Sequence, residues 1–390
     1  MGRMRGFRVR ARLVAGLCFA ATMGVAGSVA QRGATATAAT KAPNASGVRL
    51  QLVAQFPHQV TGVTVARDGR IFVNFPRWTE DAPVSVAELG RDGQLTPYPN
   101  AEWNAWRNTK QDILSAADHF VCVQSVVADD HGHLWALDPA APAQEREAPG
   151  GPKLVEINLG TNTVMRTILF DRAAAPQGSY LNDVRFSPDG RHAYITDSGA
   201  RGALVVVDLR SGAARRVLDG DPRTQREPGV VVTADGQELR RPDGRGVQFS
   251  ADGIALSPDG RALYWQALSG TTLYSLPTAA LDDPTLASGA LAARVTRVGA
   301  NGVADGLLIS KVSNPGRMYV TQPELDAVKV REGARLSILV QDKRLRWPDT
   351  FAEGPDGAIY VTTSHIQDMS WFKPQNPPQL TTQLWRIAAG

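Results

Sequence analysis

Hydrophobic and polar positions repeat along this chain in one pattern that occurs six times. Each copy has a polar or small residue, a short apolar stretch, a tight turn that is usually built on Asp-Gly, and a second apolar stretch rich in aromatic residues. The copies are TGVTVARDGRIFVNF from Thr61, QSVVADDHGHLWALD from Gln124, NDVRFSPDGRHAYITD from Asn182, DGIALSPDGRALYWQ from Asp252, DGLLISKVSNPGRMYVT from Asp305 and DTFAEGPDGAIYVTT from Asp349. Asp-Gly between alternating apolar stretches is a strong hairpin signal, so each copy predicts a β-hairpin.

A third predicted strand follows every hairpin, and a fourth follows in five of the six copies. The third strands are predicted at 84–89, 153–159, 203–209, 272–276, 327–331 and 383–387, and the fourth at 95–98, 164–170, 215–218, 295–298 and 336–340. The sixth copy has no room for a fourth strand before Gly390, whereas an unassigned apolar stretch, Val48–Phe56, precedes the first copy. The chain is therefore predicted to be all-β, a six-bladed β-propeller over residues 48–390 closed by an N-terminal strand that completes the last blade.

The composition agrees with a folded chain of many short strands. Hydrophobic residues make up 43% and charged residues 21%, which is enough for a sizeable core and excludes a disordered chain. The 37 glycines and 25 prolines are too aperiodic for a fibrous protein and are typical of frequent turns.

The first thirty residues have the pattern of a secretory signal peptide. Five arginines without an acidic residue precede the apolar run 13–30, which ends in the small-x-small exit Ser28-Val29-Ala30. We expect cleavage near Gln31, a flexible leader over 31–47, a secreted or periplasmic protein, and no integral membrane segment after cleavage. The alternative is an uncleaved membrane anchor, although its glycines make a poor span.

The charge balance argues against a nucleic-acid partner, and the cysteine count argues against an internal disulfide. Five of the 42 basic residues lie in the predicted signal, and the remaining 37 balance 38 acidic residues, so no basic surface for nucleic acid is expected. Signal cleavage would remove Cys18 and leave Cys122, so an internal disulfide is excluded for the mature chain. The protein is expected to be a monomer.

Polar residues precede the first strand of every predicted blade. In a propeller these first strands line the central channel and run in the same direction, so the residues before them meet at one mouth. Those residues are Thr61, Gln124, Asn182, Asp252, Asp305 and Asp349, and Asp183 follows Asn182. Close carboxylates raise one another's pKa or require a cation, and Asp and Asn oxygens suit Ca²⁺ or another divalent cation.

These residues give the candidate site. Asn182, Asp252 and Asp305 are the candidate metal ligands, Asp305 is also the candidate general base, and Gln124, Asp183 and Asp349 are candidate ligand-binding residues. The alternative is that Asn182, Asp252 and Asp305 cap the backbone of neighbouring turns.

Three other features of the sequence can be explained by structure rather than by function. The hairpin residues Asp189, Asp259 and Asp356 are expected to be turn caps. Cys122 is expected to be a buried small residue. The connection 76–119, with Trp78, Trp103 and Trp106, is either a lid over a channel mouth or a packed connection outside blade 1.

Several of these segments resemble the Yellow/major royal jelly protein family in its bacterial branch. The similar stretches include FVCVQSVVADDHGHLWALD at 120–138, YLNDVRFSPDGRHAYITDSG at 180–199 and LRWPDTFAEGPDGAIYVTTS at 345–364. The resemblance runs over about 50–387 and implies an exported six-bladed propeller. Members of the family include nutritive secreted proteins, small-amine binders and proteins credited with dopachrome conversion.

A second resemblance is to the gluconolactonase/regucalcin propellers, whose metal is held by a Glu, two Asn and an Asp. By position, Asn182 matches one Asn, Asp252 stands where the second would be, and Asp305 matches the Asp. Thr61 takes the place of the Glu, and Tyr180 stands where that family has a substrate-binding Arg, which makes Tyr180 a candidate ligand contact. Both departures argue against sugar-lactone hydrolysis.

The predicted function is therefore the binding of a small polar or aromatic molecule at the channel mouth, with a divalent cation as the candidate cofactor. The alternatives are metal-dependent lactone hydrolysis, dopachrome-type isomerisation, and a non-catalytic binding or scaffold protein.

Overall fold

A computed structural model describes residues 47–110, 113–144 and 146–389, and the predicted signal peptide and nearly all of the predicted leader lie outside them. The described chain forms six four-stranded antiparallel sheets and one short hairpin. Strand β1 (Val48–Phe56) comes first, and the remaining strands follow in chain order. The predicted all-β six-bladed propeller is confirmed.

Each sheet is one blade, with its strands in sequence order from the central channel outwards. Blade 1 contains β2 (Val63–Val65), β3 (Ile71–Asn74), β4 (Val86–Leu89) and β5 (Leu95–Pro97). Blade 2 contains β6 (Ser125–Ala128), β7 (His133–Asp138), β8 (Lys153–Asn158) and β9 (Thr163–Leu169). Blade 3 contains β10 (Leu181–Phe186), β11 (His192–Asp197), β12 (Ala203–Asp208) and β13 (Ala214–Val217).

The second half of the chain repeats this arrangement after a two-stranded hairpin, β14 (Thr233–Ala234) and β15 (Gln237–Glu238). Blade 4 contains β16 (Ala251–Leu256), β17 (Ala262–Ala267), β18 (Thr272–Pro277) and β19 (Thr296–Ala300). Blade 5 contains β20 (Leu307–Ile309), β21 (Met318–Gln322), β22 (Ala327–Glu332) and β23 (Arg335–Gln341). Blade 6 contains β24 (Pro348–Glu353), β25 (Ile359–Thr363) and β26 (Thr382–Ala389), with β1 as its outer strand.

Helical structure among the described residues is confined to connections. Two short α-helices, α1 (Thr278–Asp282) and α2 (Ser288–Ala292), lie between β18 and β19, and four single 3₁₀ turns occur at Asn108–Lys110, Pro142–Gln144, Pro323–Leu325 and Ile366–Asp368. The repeat pattern predicted neither these helices nor the β14–β15 hairpin. No helix of the described chain is long and apolar enough to span a membrane.

The ring is closed by the pairing that the sequence predicted. β1 pairs antiparallel with β26, with Leu50 opposite Ile387 and Phe56 opposite Thr382, and a bulge lies between Leu52 and Ala54. Because the first and last segments share one sheet, every blade has four strands, and the backbone edge of β26 is paired rather than exposed.

Apolar side chains hold the blades together in pairs. Six buried clusters lie between successive blades, and the one between blades 6 and 1 brings Phe56 and Leu384 against Val63 and Phe75. The alternation of side chains along each strand explains this pattern, since each sheet faces a neighbour on both sides. The strands are consequently apolar on both faces.

Polar side chains bind the inner strands of neighbouring blades to each other. The Thr196 hydroxyl donates to the Asp252 carbonyl (2.7 Å), and the Thr362 hydroxyl donates to the Thr61 carbonyl (2.6 Å), each across a blade boundary. Two glycines permit the same close approach, because a Cβ on Gly253 would lie 2.1 Å from the Asp305 carbonyl oxygen and one on Gly306 would lie 1.9 Å from that of Asp349. The glycines that follow Asp252 and Asp305 are thus required by packing around the channel.

Removal of β1 should therefore destabilise the whole ring. We expect a chain that lacks residues 1–57 to aggregate and to melt at a lower temperature, because β26 would expose an unpaired edge and Phe56 would leave its cluster. A chain that lacks only residues 1–45 keeps β1 and should match the full chain. Thermal melting and size-exclusion chromatography of both truncations test this, and equal melting temperatures would contradict it.

Candidate functional site

The end of the channel where the first strands begin is covered by a seventh apolar cluster, which we call the roof. Its largest buried side chains are Trp78, Trp106, Tyr180, Trp347 and Met369. Trp106, Tyr180 and Trp347 come from connections between blades, whereas Trp78 and Met369 come from connections within blades 1 and 6. Trp78 and Trp106 therefore belong to a lid over a channel mouth. Trp103, by contrast, packs on Phe120 between blades 1 and 2, with ring centroids 5.1 Å apart. The connection 76–119 is therefore a lid over the channel mouth at Trp78 and Trp106 and a packed connection at Trp103.

A chain of hydrogen bonds lies directly beneath the roof. The Trp78 indole donates to the Tyr180 hydroxyl (2.7 Å), which donates to Gln124 Oε1 (3.0 Å). Gln124 Nε2 approaches Asn182 Oδ1 (3.4 Å), and the Asn182 amide donates to Ser198 Oγ (2.9 Å). Three of the predicted site residues are thus brought together, but they are buried and bind one another rather than lining an open mouth.

Three carboxyl groups occupy the other side of the axis under the roof. Burial, the charge of Asp305 and hydrogen bonding with Asp305 raise the pKa of Asp252 well above its usual value. Burial also raises the pKa of Asp305, to about 7, and raises that of Asp349, where the charge of Asp305 adds to the effect. In this apolar surrounding the three groups cannot all be ionised without a counter-charge, so they hold protons or attract a cation.

The roof supplies the hydrogen-bond donor for this cluster. The indole Nε1 of Trp347 donates to Asp305 Oδ2 (2.7 Å), and this bond opposes the rise in the pKa of Asp305. Trp347 is fully buried and has φ +51°, a backbone conformation that is unusual for a bulky residue. Sequence reasoning missed Trp347. The available signal was its place in the segment Trp347-Pro348-Asp349, immediately before a first strand.

The acids under the roof differ from those in the hairpin turns. Asp189, Asp259 and Asp356 each accept a backbone N–H within their own turn, from Arg191, Arg261 and Ala358 respectively. In the described part of the chain no backbone amide donates to the side chain of Asn182, Asp252 or Asp305. Thr61 has a structural role, because its hydroxyl accepts a hydrogen bond from the side-chain amide of Asn74 (2.9 Å).

Asp183 joins the buried acids to the open part of the channel. Its Oδ1 accepts from Ser125 Oγ (2.6 Å) and from Nη1 of Arg185 (2.9 Å). Arg185 continues across the channel, because its Nη2 donates to the Leu307 carbonyl of blade 5 (3.1 Å). Asp183 and Arg185 lie two residues apart on β10 and so share one face of the strand. Sequence analysis selected Asp183 and overlooked Arg185, although this spacing was visible.

A cavity of about 610 Å³ fills the channel beyond Arg185, towards the end where the first strands terminate. We call this cavity the channel cavity. We call the end of the channel where the first strands terminate the open end. Its walls are apolar, and its inner limit is polar. The walls include Val63, Val126, Phe186, Leu308 and Phe351, the inner limit has Asp183, Arg185 and Thr350, and the rim has Arg67, Asp130, Lys311 and Glu353. Asp252, Asp305 and Asp349 are not among its lining residues, so the predicted site splits into a buried part and an accessible part.

The candidate metal ligands match a hard cation in chemistry only. Asn182, Asp252 and Asp305 offer oxygen donors of the kind Ca²⁺ prefers. Within residues 47–110, 113–144 and 146–389, no three His, Cys, Asp or Glu side chains are arranged as a metal site.

Comparison with known proteins identifies both family and fold. The sequence model described as Major royal jelly protein matches residues 121–362, which is more than half of the chain. No curated protein sequence is significantly similar to the chain.

Solved structures with the same architecture include enzymes and a calcium-binding protein. A luciferin-regenerating enzyme superposes with a TM-score of 0.53 at 10% identity, covering 88% of this chain and 95% of that one. A gluconolactonase from Xanthomonas campestris gives 0.51 at 11% identity, covering 88% and 90%. Regucalcin from Agrobacterium tumefaciens str. C58, a calcium-binding protein, gives 0.50 at 14% identity, covering 87% and 94%. At these identities the likeness shows the fold alone.

The buried acids should make stability fall as pH rises. Asp305 has a folded-state pKa of about 7, above its unfolded value of 3.8, so its contribution is fully present below about pH 4 and is lost as pH rises through about 7. We expect the free energy of unfolding to decline across that interval by about 1.4 kcal/mol per pH unit for this group. Denaturant unfolding at several pH values measures the slope.

Asp305→Asn is the matching variant, because asparagine keeps the shape and resembles the protonated acid. It should flatten the slope and be more stable than the wild type at about pH 8. The control is Asp356→Asn, in a hairpin turn at the open end, which should keep the wild-type slope. Parallel slopes for the wild type and Asp305→Asn would show that Asp305 is not a proton-holding group.

Proposed function

We propose that this chain, which belongs to the major royal jelly protein family, binds a small polar or aromatic molecule in its central channel. The observation that carries the proposal is the channel cavity of about 610 Å³, with apolar walls and a polar inner limit. Pockets for small molecules commonly measure about 300–1,000 Å³ and combine apolar walls with a few oriented polar groups.

The chemistry of the cavity indicates how such a ligand would lie. An apolar or aromatic body would pack against Val126, Phe186 and Phe351, where burial removes it from water. A polar end would reach Asp183 and Arg185, which are already oriented by their own hydrogen bonds. A hydroxyl or amine donor would meet the Asp183 carboxylate there, so its burial would be compensated.

The ligand is thus proposed to bind at the open end of the channel, opposite the mouth that the sequence predicted. Of the four predicted ligand-binding residues, Asp183 lines the channel cavity. Gln124, Tyr180 and Asp349 lie in the network under the roof, and we assign them to supporting that network. Access from the open end is favoured because the roof buries the other mouth.

A second candidate function is metal-assisted catalysis at Asp305. It is supported by the buried carboxyl groups of Asp252 and Asp305, whose charge a bound cation would compensate. Asn182, Asp252 and Asp305 would hold the cation, which when bound would polarise a substrate carbonyl. Asp305 would accept a proton from water or substrate, as lactone hydrolysis or dopachrome-type isomerisation requires. Because Arg185 and Asp183 stand between these residues and the channel cavity, binding is the better supported function.

Ligand binding should depend on free volume in the channel cavity. Ala128 lines the cavity and is half-buried, so Ala128→Phe would fill part of it. We expect a ligand at about a hundred times its dissociation constant to add roughly 2.7 kcal/mol to the stability of the wild type. The gain should be lost in Ala128→Phe. A panel of small polar and aromatic molecules, screened by thermal melting, measures both.

Ala290→Phe, on the exposed face of α2, is the control and should respond like the wild type. Equal shifts in all three proteins would place the ligand outside the cavity.

Export is proposed on the leader pattern alone, and N-terminal sequencing of the protein used in the screen tests it, because a start near Gln31 is expected.

A cation at the roofed end should compete with protons. We expect saturating Ca²⁺ to raise the melting temperature at about pH 8, to act less at about pH 5 where the carboxyl groups are protonated, and to lose its effect in Asp305→Asn. Asp356→Asn should respond like the wild type. If Ca²⁺, Mg²⁺ and Mn²⁺ all leave the wild-type melting curve unchanged, Asn182, Asp252 and Asp305 do not bind a metal, and Asp252 and Asp305 hold protons instead.

A further inference from the structure

Three charged side chains from different hairpin turns meet at the open end of the channel. The Asp130 carboxylate of blade 2 pairs with Nη2 of Arg67 in blade 1 (3.2 Å) and lies 3.5 Å from Nζ of Lys311 in blade 5. Blades 2 and 5 are opposite each other in a six-membered ring. The Lys311–Asp130 pair therefore crosses the mouth of the channel cavity, which both residues line.

Lys311 reaches across because its hairpin loop is longer than the corresponding turns. Eight residues, 310–317, separate β20 from β21. Five residues separate the first two strands of blade 3, and five separate those of blade 4. The sequence shows the same difference, because SKVSNPGR stands where those two blades have the shorter turns SPDGR.

The base of the long loop is fixed by one carboxylate. Glu353 accepts from the backbone N–H of Lys311 (2.6 Å), Val312 (3.2 Å) and Ser313 (3.0 Å), and from the Ser310 hydroxyl (2.7 Å). The backbone of the loop is thus held at the rim of blade 6. The Lys311 side chain is about half exposed (47%), as is that of Asp130 (45%), so their pairing is weak and open to solvent.

The inner limit of the cavity is built differently. Arg185 also crosses the channel, but it donates to the Asp183 carboxylate and to the Val184 and Leu307 carbonyls, and it is largely buried, with 16% of its side chain exposed. A side chain with three such bonds stays in place, whereas a single exposed ion pair breaks and forms readily. Only the outer crossing is suited to open.

We propose that the Lys311–Asp130 pair is a gate over the channel cavity, and that small molecules enter when the pair breaks. This rests on the proposed function, because it gives the route into the cavity where the ligand would bind. The gate is held only weakly, because an exposed ion pair contributes little free energy and is screened by salt. It slows exchange and is sensitive to ionic strength, and it does not seal the cavity.

A cysteine placed inside the cavity tests the gate without any natural ligand. Val127 is half-buried and lines the cavity, and valine and cysteine are similar in size. In a Cys18→Ser, Val127→Cys chain, the rate of modification by N-ethylmaleimide, a small neutral reagent, reports access. The native Cys122 is fully buried, and burial raises the pKa of its thiol to about 12, so it should stay unmodified in the folded protein.

Lys311→Met in this background should accelerate modification about threefold. Asp130→Asn removes the partner of both Lys311 and Arg67 and should accelerate it at least as much. The two changes together should act no more than Asp130→Asn alone, since Asp130→Asn already breaks the Lys311 pair. Raising salt from about 0.05 M to about 0.5 M should accelerate the parent and leave Lys311→Met unchanged. The matched control is Arg261→Met, which removes an exposed charge from the hairpin turn of blade 4, away from the cavity lining.

The outcomes separate the gate from the site beneath it. Equal rates in the parent, Lys311→Met and Asp130→Asn, at both salt concentrations, would overturn the gate and leave the cavity accessible as proposed. Acceleration by Arg261→Met as large as that by Lys311→Met would also overturn it. If the introduced thiol is unreactive in every variant while the unfolded chain reacts, the cavity is not reached from the open end, and both the gate and the proposed ligand site are wrong.

Discussion

Closure of the ring is the constraint on which the rest of this structure depends. The pairing of β1 with β26 joins the two ends of the chain in one sheet and makes blade 6 equivalent to the other blades. Only a closed ring brings six first strands around one axis. The described chain contains a single cysteine, which is free and buried, so this closure relies on strand pairing and on the apolar clusters between blades.

Closure also forces polar residues into a confined space. The segments that precede the first strands converge, and the carboxyl groups of Asp252, Asp305 and Asp349 meet where water is scarce. Burial is the main cause of their raised pKa values, and the charge of Asp305 adds to the effect at Asp252 and Asp349. The roof satisfies part of this network through the Trp78 and Trp347 indoles, so the same aromatic residues that exclude water also donate the hydrogen bonds that exclusion would otherwise remove.

The two ends of the channel consequently have different properties. The roofed end is apolar, packed and hydrogen-bonded, whereas the open end leads to a cavity whose rim carries exposed charges. Arg185 and Asp183 mark the boundary between them. In this member of the major royal jelly protein family, the accessible cavity and the buried acids therefore lie at different ends of the channel.

The sequence by itself determined the repeated hairpins, the four strands of each blade and the strand that closes the ring, because these depend on local alternation and turn chemistry, which recur six times. It also predicted Asp189 and Asp259 as turn caps and placed Asp252 and Asp305 at the axis, since each position is defined relative to a strand, but it left open whether Asp252 and Asp305 are caps as well. Only the tertiary structure decided that Trp347 binds Asp305, that Arg185 crosses to blade 5, and that Lys311 reaches Asp130. These contacts join residues that are 42, 122 and 181 positions apart in long connections or across the channel, where no periodicity indicates the direction of a side chain. The closed mouth and the open one could not be told apart for the same reason: the roof is built from connections whose packing follows from the ring and not from their own sequence pattern.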